Sequence, residues 1–277
     1  MADLGKLLAL IDRLRAPGGC PWDREQTLVD LRAYLVEEAH EAAAAIDAVV
    51  AGSADAAAWD ALEDELGDLL FQVAFVAALA AEAGRFTAAD AIERVHAKMV
   101  ARHPHVFPPA DGEGEKLADA DAVARAWERR KLEAGRDGES LLAGVPPSLP
   151  ALLAAYRMTQ KAAGVGFDWP DAAAVLAKLD EERTELAAAL AAAAGGSDDA
   201  AGREAAVREE VGDLLFTAAN LARKLGVDPE AALAATNAKF RRRFAHVEAR
   251  LAATGRRPDE ADLAEMDALW EEAKIAP

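Results

Sequence analysis

The sequence predicts an all-α fold made of two tandem copies of one helical module, and three observations support that prediction. Alanine, leucine, glutamate and arginine dominate long stretches of the 277 residues, and all four are strong helix formers. Aromatic residues make up only 5% of a chain that is 52% hydrophobic, so residues that favour strands are scarce. The third observation is an internal repeat. Glu37-Glu38-Ala39-His40-Glu41 returns as Glu181-Glu182-Arg183-Thr184-Glu185, 144 residues later. Glu65-Leu66-Gly67-Asp68-Leu69-Leu70-Phe71 returns as Glu210-Val211-Gly212-Asp213-Leu214-Leu215-Phe216 at an offset of 145. Further on, His96-Ala97-Lys98 through Arg102 matches Asn237-Ala238-Lys239 through Arg243 at 141, and Trp127 with Lys131 matches Trp270 with Lys274 at 143. Matches in one order at a nearly constant offset mark a duplication, because shared composition does not preserve order.

In the first copy the pattern predicts helices over roughly 27–50, 55–83, 88–101 and 118–134. Thr87 followed by Asp90 has the arrangement of a capping box that opens the third of these. In the second copy Asp228-Pro229-Glu230 does the same work, with aspartate as N-cap and proline in the first turn. The stretch from Leu69 to Ala83 is apolar nearly all round, which predicts a buried helix. Gly135-Arg136-Asp137-Gly138 and Gly144-Val145-Pro146-Pro147-Ser148-Leu149-Pro150 bracket a linker, its prolines stopping helix propagation. A second loop rich in proline and glycine, His103 to Glu115, interrupts the first copy. The expected organisation is an N-terminal module over 1–135, a linker over 136–150 and a C-terminal module over 151–277.

Composition excludes several function classes. Asp and Glu total 49 against 31 Lys and Arg, a net charge of -18, so the surface repels a polyanion and no nucleic-acid partner is expected. A small anionic substrate stays open if a metal ion or a local basic cluster offsets the field. Cys20 is the only cysteine, which rules out an intrachain disulfide and points to a reducing compartment. The N-terminal MADLGKLLALIDRLR has apolar residues at helical spacing but no uninterrupted signal-peptide core. The longest apolar runs, such as Val73 to Ala81, fall short of the ~20 residues of a membrane helix. A soluble cytoplasmic protein without a membrane partner is the expectation.

The duplicated carboxylates carry the chemistry. On a helix Glu38 and Glu41 are three apart and Glu37 and Glu41 four apart, so they share a face, and Glu65 with Asp68 shares a face of the next helix. Carboxylates held ~5 Å apart repel by roughly 3 kcal/mol at an effective dielectric of ~20. They persist only if solvated, protonated or neutralised by cations, and the apolar setting of Glu65 and Asp68 favours cations. All-oxygen ligands suit Mg²⁺ or Mn²⁺ rather than zinc. A single acidic EExxE would read as a solvated face; both motifs in both copies, in order, do not. Gly67 and Gly212 each precede the aspartate although glycine costs ~1 kcal/mol inside a helix. They serve either close helix packing or access for a metal or substrate. Lys239, Arg241, Arg242 and Arg243 form a basic cluster; Lys239 and Arg243, four apart, can present two cations to phosphate, and Lys98 and Arg102 match them in the first copy. The other reading is an ion-paired surface helix. Trp270 beside Lys274 offers either a stacking ring or a core residue.

The combination of EExxE, then 23 or 24 residues, then ExxD within a GDLLF segment resembles the MazG family of nucleoside triphosphate pyrophosphohydrolases. Cys20-Pro21-Trp22-Asp23, Arg102-His103-Pro104-His105-Val106-Phe107 and Gly164-Val165-Gly166-Phe167-Asp168-Trp169 resemble that family too, so the likeness covers nearly the whole chain. It implies tandem four-helix MazG-like modules of the all-α NTP pyrophosphatase type, a homodimer, and Mg²⁺-dependent cleavage of nucleoside triphosphates to monophosphate and pyrophosphate. Carried over by residue, Glu182, Glu185, Glu210 and Asp213 resemble the metal ligands, with Glu181 as a further acidic catalytic neighbour. Lys239, Arg243, Trp270 and Lys274 resemble the nucleotide and phosphate contacts. Glu37, Glu38, Glu41, Glu65, Asp68, Lys98, Arg102, Trp127 and Lys131 make a second, N-terminal candidate site. The C-terminal copy is expected to carry most of the turnover, because the basic helix of the first copy breaks at His103-Pro104-His105. Neither a nucleophilic Ser or Cys motif nor a Gly-rich P-loop is visible, which agrees with direct attack of water on the α-phosphorus. Two alternatives stand beside this: a di-iron bundle, from the Glu-x-x-His of Glu37 and His40, and a nucleotide-sensing or partner-binding helical protein without turnover.

Overall fold

A computed structural model describes residues 4–52, 55–108, 117–119, 122–123, 126–127, 130, 140–194 and 200–275. The described residues form ten α-helices and two short 3-10 turns, with no strand among them. Cα proximity divides the chain into two compact units, Met1–Lys116 and Leu117–Pro277.

In the first unit α1 (Leu4–Arg15) and the short α2 (Pro21–Glu25) precede two long helices, α3 (Leu28–Ala51) and α4 (Ala56–Glu82), followed by α5 (Ala88–Arg102). The starts of these helices are written in the sequence. Thr27 and Thr87 each close a capping box with the aspartate three residues on, Thr27 N–H donating to Asp30 Oδ2 at 2.9 Å and Thr87 N–H to Asp90 Oδ2 at 2.8 Å. Asp55 Oδ1 accepts from Ala57 N–H at 3.0 Å. Each arrangement satisfies donors that the first turn of a helix leaves open. At the other end of α4, Gly84 adopts φ +63° and Arg85 N–H bonds back to Ala80 O at 2.9 Å, a turn that needs a left-handed residue.

α3 and α4 pack on each other, and α1 lies across α4. Ile11, Leu31, Ala74, Phe75, Ala78 and Leu79 form the core between them. Full burial of a side chain such as Ile11 or Leu31 contributes about 1.5–3 kcal/mol each. Arg15 fixes the far end of α4 through a two-pronged pair with Glu82 at 2.6 and 2.7 Å, its guanidinium 5.5 Å from the Phe75 ring centroid. The expectation of a fully buried helix over Leu69 to Ala83 holds only for one side. Ala74, Phe75 and Ala77 to Ala80 are buried, whereas Leu66, Leu70 and Val73 are 44–55% exposed. These three recur at helical spacing and form a stripe that stays about half exposed.

The second unit repeats the plan. A 3-10 turn (Leu141–Gly144) leads into α6 (Ala151–Gly164), the paired α7 (Ala172–Ala194) and α8 (Ala200–Lys224), then α9 (Pro229–Ala252), a second 3-10 turn (Pro258–Glu260) and α10 (Leu263–Ile275). Asp228 caps α9 as expected, its Oδ1 accepting from Glu230 and Ala231 N–H at 2.9 and 3.0 Å, with Pro229 in the first turn. Gly226, at φ +69°, ends α8 as Gly84 ends α4, with Val227 N–H on Ala222 O at 2.9 Å. Val211 and Leu215 are 40% and 51% exposed, the counterpart of the α4 stripe. α5 ends at Arg102, with His103 as its C-cap, whereas α9 runs on to Ala252. The helix expected over 118–134 falls largely outside the described residues, though Ala122, Val123, Ala126, Trp127 and Arg130 are helical; of the linker expected at 136–150, residues 140–150 are described and include the Leu141–Gly144 turn. Among the described residues no helix is long and apolar enough to cross a membrane.

Candidate metal centre

Each helical pair brings three carboxylates together. Glu38 of α3 meets Glu65 and Asp68 of α4, and Glu182 of α7 meets Glu210 and Asp213 of α8; in each set one oxygen per residue lies within 4.8 Å of the others. The i,i+3 spacing puts the second and third ligands on one face of their helix, and packing supplies the first from the neighbour. Glu182 is buried, Glu38, Glu65 and Glu210 are half-buried, and Asp68 and Asp213 are exposed. Burial raises the Glu210 pKa above the ordinary glutamate range, and the charges of Glu185, Asp213 and Glu182 raise it further. Glu38 is raised by the same causes, burial first and then Asp68 and Glu41, with a hydrogen bond from Gln72 opposing them. Both triads thus hold more negative charge than they can ionise freely, and the donor set is all oxygen. A divalent cation fits both. His40 is exposed and outside the cluster, so the arrangement lacks the imidazole ligand of a di-iron site.

Glu185 and Glu41, one turn on, lie outside the triads, yet after burial Glu185 is the largest influence on Glu210. Glu181 is exposed and paired with Lys178 at 3.0 Å; Glu37 is exposed. Lys178 is a residue the sequence reading missed. Its ammonium also reaches the buried Glu182 at 2.9 Å, and hydrogen bonds to Glu182 and then Glu181 hold its pKa above the ordinary lysine range. The signal was present as a lysine four residues before Glu182. The first copy has Tyr34 at that position.

The basic residues sit on a different helix pair, α9 with α10. There the Arg243 guanidinium lies 5.7 Å from the Trp270 ring centroid, a cation–π distance, and Phe240 packs on the same ring at 5.1 Å. Trp270 is therefore both partly core and partly a support for Arg243. Lys274 pairs with Glu271 on its own helix. Among the described residues Lys239, which is exposed, has no ion-pair partner. In the first unit Lys98 is exposed and Arg102 half-buried; of their expected partners, which fall in the second unit, Trp127 is half-buried and Lys131 lies outside the described residues.

For Gly67 and Gly212 the structure removes one reading, close helix packing within the chain. A Cβ at either position would meet nothing within 4 Å, so helix packing within the chain does not require glycine there. Gly212→Ala is expected to raise the melting stability by up to ~1 kcal/mol, the helix-propensity difference, while lowering turnover because it narrows access beside Asp213. An alanine variant with full turnover would remove the access argument.

The comparisons with known proteins follow the same division. The model of the MazG nucleotide pyrophosphohydrolase domain matches twice, at residues 26–107 and 171–248, once per helical pair. An Escherichia coli (strain K12) protein named nucleoside triphosphate pyrophosphohydrolase is 40% identical over 277 residues, spanning 99% of this chain and 98% of its own. A Thermotoga maritima protein named nucleoside triphosphate pyrophosphohydrolase/pyrophosphatase MazG is 38% identical over 269 residues, 97% of this chain and 94% of its own. The Bacillus subtilis protein YabN is 39% identical over 267 residues, which are 96% of this chain and 50% of YabN. Two copies of the domain, each carrying its own carboxylate triad, place this chain in the MazG nucleotide pyrophosphohydrolase family.

Proposed function

We propose that this chain hydrolyses nucleoside triphosphates to nucleoside monophosphate and pyrophosphate, with the C-terminal module, 151–277, as the main site of turnover. The observation that carries this reading is the triad of Glu182, Glu210 and Asp213, an all-oxygen set that concentrates negative charge and suits a divalent cation. Glu182, Glu185, Glu210 and Asp213 are the proposed ligands, for Mg²⁺ or alternatively Mn²⁺. Such an ion supplies positive charge against the phosphate oxygens and acidifies nearby water.

The remaining work falls to the chain. Glu181, exposed, adjacent to Glu182 in sequence and paired with Lys178, orients the attacking water and accepts its proton. The water oxygen bonds to the α-phosphorus as the bond from that phosphorus to the bridging oxygen breaks, and pyrophosphate leaves. Lys239, Arg243 and Lys274 offset the charge on the departing group, Arg243 being steadied on Trp270. The expected products from ATP are AMP and pyrophosphate, separated by ion-exchange chromatography; ADP with orthophosphate would refute attack at the α-phosphorus. Clearing unwanted nucleotides from the cytoplasmic pool is the role this chemistry suits.

The same proposal includes a homodimer. Leu66, Leu70 and Val73 on α4, and Val211 and Leu215 on α8, stay 40–55% exposed, and stripes of this kind bury themselves against another subunit. Light scattering at micromolar concentration is expected to give twice the 29.1 kDa chain mass. Leu215→Glu together with Leu70→Glu should shift it toward the monomer; a monomeric wild type would refute the dimer.

A further inference from the structure

A cavity of about 390 Å³ lies beside α8 in the second unit, lined in part by Met158, Phe167, Trp169, Phe216, Asn220 and Arg223. Its volume is that of a small-molecule site, and its wall is almost wholly apolar and rich in rings, suited to the faces of a flat heterocycle. Phe167 is 77% exposed although it lines the cavity.

One polar group in the wall is unsatisfied. Asn220 is 1% exposed, and its Nδ2 has no hydrogen-bond partner among the described residues. Its Oδ1 accepts from Arg223 Nε at 2.9 Å. Arginine only donates, so the amide oxygen must face it and the amide NH₂ must face away. Arg223 is itself fixed by a two-pronged pair with Asp168, so the amide cannot readily turn over. The other polar side chains of the wall are committed: the Thr159 hydroxyl donates to Ala155 O at 2.9 Å, and Asp168 also receives Lys224 at 2.7 Å. A buried donor without an acceptor is costly, and an acceptor entering the cavity would relieve it.

Position connects this cavity to the carboxylates. Asn220 follows Asp213 by seven residues, two turns of α8, so it lies on nearly the same face at ~10 Å along the axis. That is about the reach of a nucleotide from its α-phosphate to the far edge of its base. The first copy differs at this point. Phe75 takes the place of Asn220, is 2% exposed within the core, and the corresponding cavity, lined by Trp22, Phe71, Gln72 and Phe75 among others, is smaller at about 260 Å³.

We propose that the α8 cavity of the C-terminal module binds the heterocyclic base of the triphosphate, and that the Asn220 amide donates to a carbonyl oxygen on it, selecting keto bases over amino bases. This rests on the nucleotide-hydrolysis reading given above. Hypoxanthine and guanine offer the carbonyl at C6, uracil and thymine at C4; adenine and cytosine present an amino group at those positions, which would set donor against donor.

Inosine triphosphate and ATP test this directly, since they differ chiefly at the keto or amino group of the six-membered ring. For the wild type, kcat/KM for pyrophosphate release should be at least ~10-fold higher with inosine triphosphate, the cost of leaving a buried donor unpaired. Asn220→Leu should bring the ratio close to one by raising KM for inosine triphosphate. Asn220→Asp, which keeps the shape and the Arg223 contact but replaces the donor by an acceptor, should shift preference toward ATP. Equal turnover of the two nucleotides by the wild type would overturn the proposal even if neither variant folds. A wild-type preference that survives both substitutions would overturn the role of Asn220, as would variants that change only the oligomeric mass, which would give the cavity to a second copy. If no triphosphate releases pyrophosphate, the hydrolysis reading itself fails, a result distinct from equal turnover.

Discussion

Glu210→Gln is expected to lower the rate of pyrophosphate release by at least ~100-fold, since loss of groups that merely support metal ligands already costs ~10–100-fold; Glu65→Gln should keep most of the activity. The two triads are alike in composition and both close to within 4.8 Å, differing in that Glu182 is buried and Glu38 half-buried. The expected difference in turnover is attributed to their surroundings. In the second unit Glu182 has Lys178 beside it, Arg243 is braced on Trp270 and α9 continues past the basic cluster. In the first unit Tyr34 replaces Lys178, α5 stops at Arg102, and Phe75 fills the place of Asn220. Glu185→Ala against Glu41→Ala makes the companion pair and should show the same order. Each variant needs unchanged helicity by circular dichroism and unchanged mass. Comparable losses in the two copies would mean that both sites turn over, and the reverse order would refute the assignment to the C-terminal module.

Removing the metal should have the second large effect, and its size should depend on pH. Glu38 and Glu210 have folded-state pKa values above the ordinary glutamate value of 4.5, burial being the first cause. A raised carboxylate pKa means the folded state holds the proton more tightly than the unfolded one. The contribution of these groups to the stability of the metal-free protein is therefore fully present below the ordinary value and is lost as pH rises through the raised one. A bound cation reverses the situation, because it requires the ionised form. The Mg²⁺-induced rise in melting temperature, measured against EDTA, should accordingly be larger at pH 8 than at pH 5.5. Turnover should fall over the same acidic range. Glu210→Gln in EDTA should melt higher than wild type at pH 8, since it removes an unfavourable charge, and should lose most of the response to Mg²⁺. A metal response independent of pH, or an EDTA-treated variant less stable than wild type, would contradict this account of the triad.

The all-α class, the duplication, the caps at Thr87 and Asp228 and the carboxylate pairs could all be read from the chain. Each depends on spacing within one helix or on repetition along the sequence, and those are properties of a linear string. Composition alone could not separate a solvated acidic face from a cation site, and the repeat of both motifs in order favoured the cation site. Tertiary structure decided which carboxylates meet. Glu182 joins Glu210 and Asp213, whereas Glu185, equally placed in the EExxE motif, stays outside the 4.8 Å set. Helical periodicity places both glutamates on neighbouring faces, and only the packing of α7 on α8 selects between them. Lys178 and Asn220 were also decided there. A lysine in a charged helix and an asparagine in an apolar one carry no role until a buried carboxylate and a cavity are set beside them. Gly67 and Gly212 show the same limit, because whether a glycine allows close packing or access depends on atoms that only the folded chain brings near. Spacing along a helix fixes direction, but distance between helices is set by side chains remote in sequence, and metal and base recognition are decided by distance.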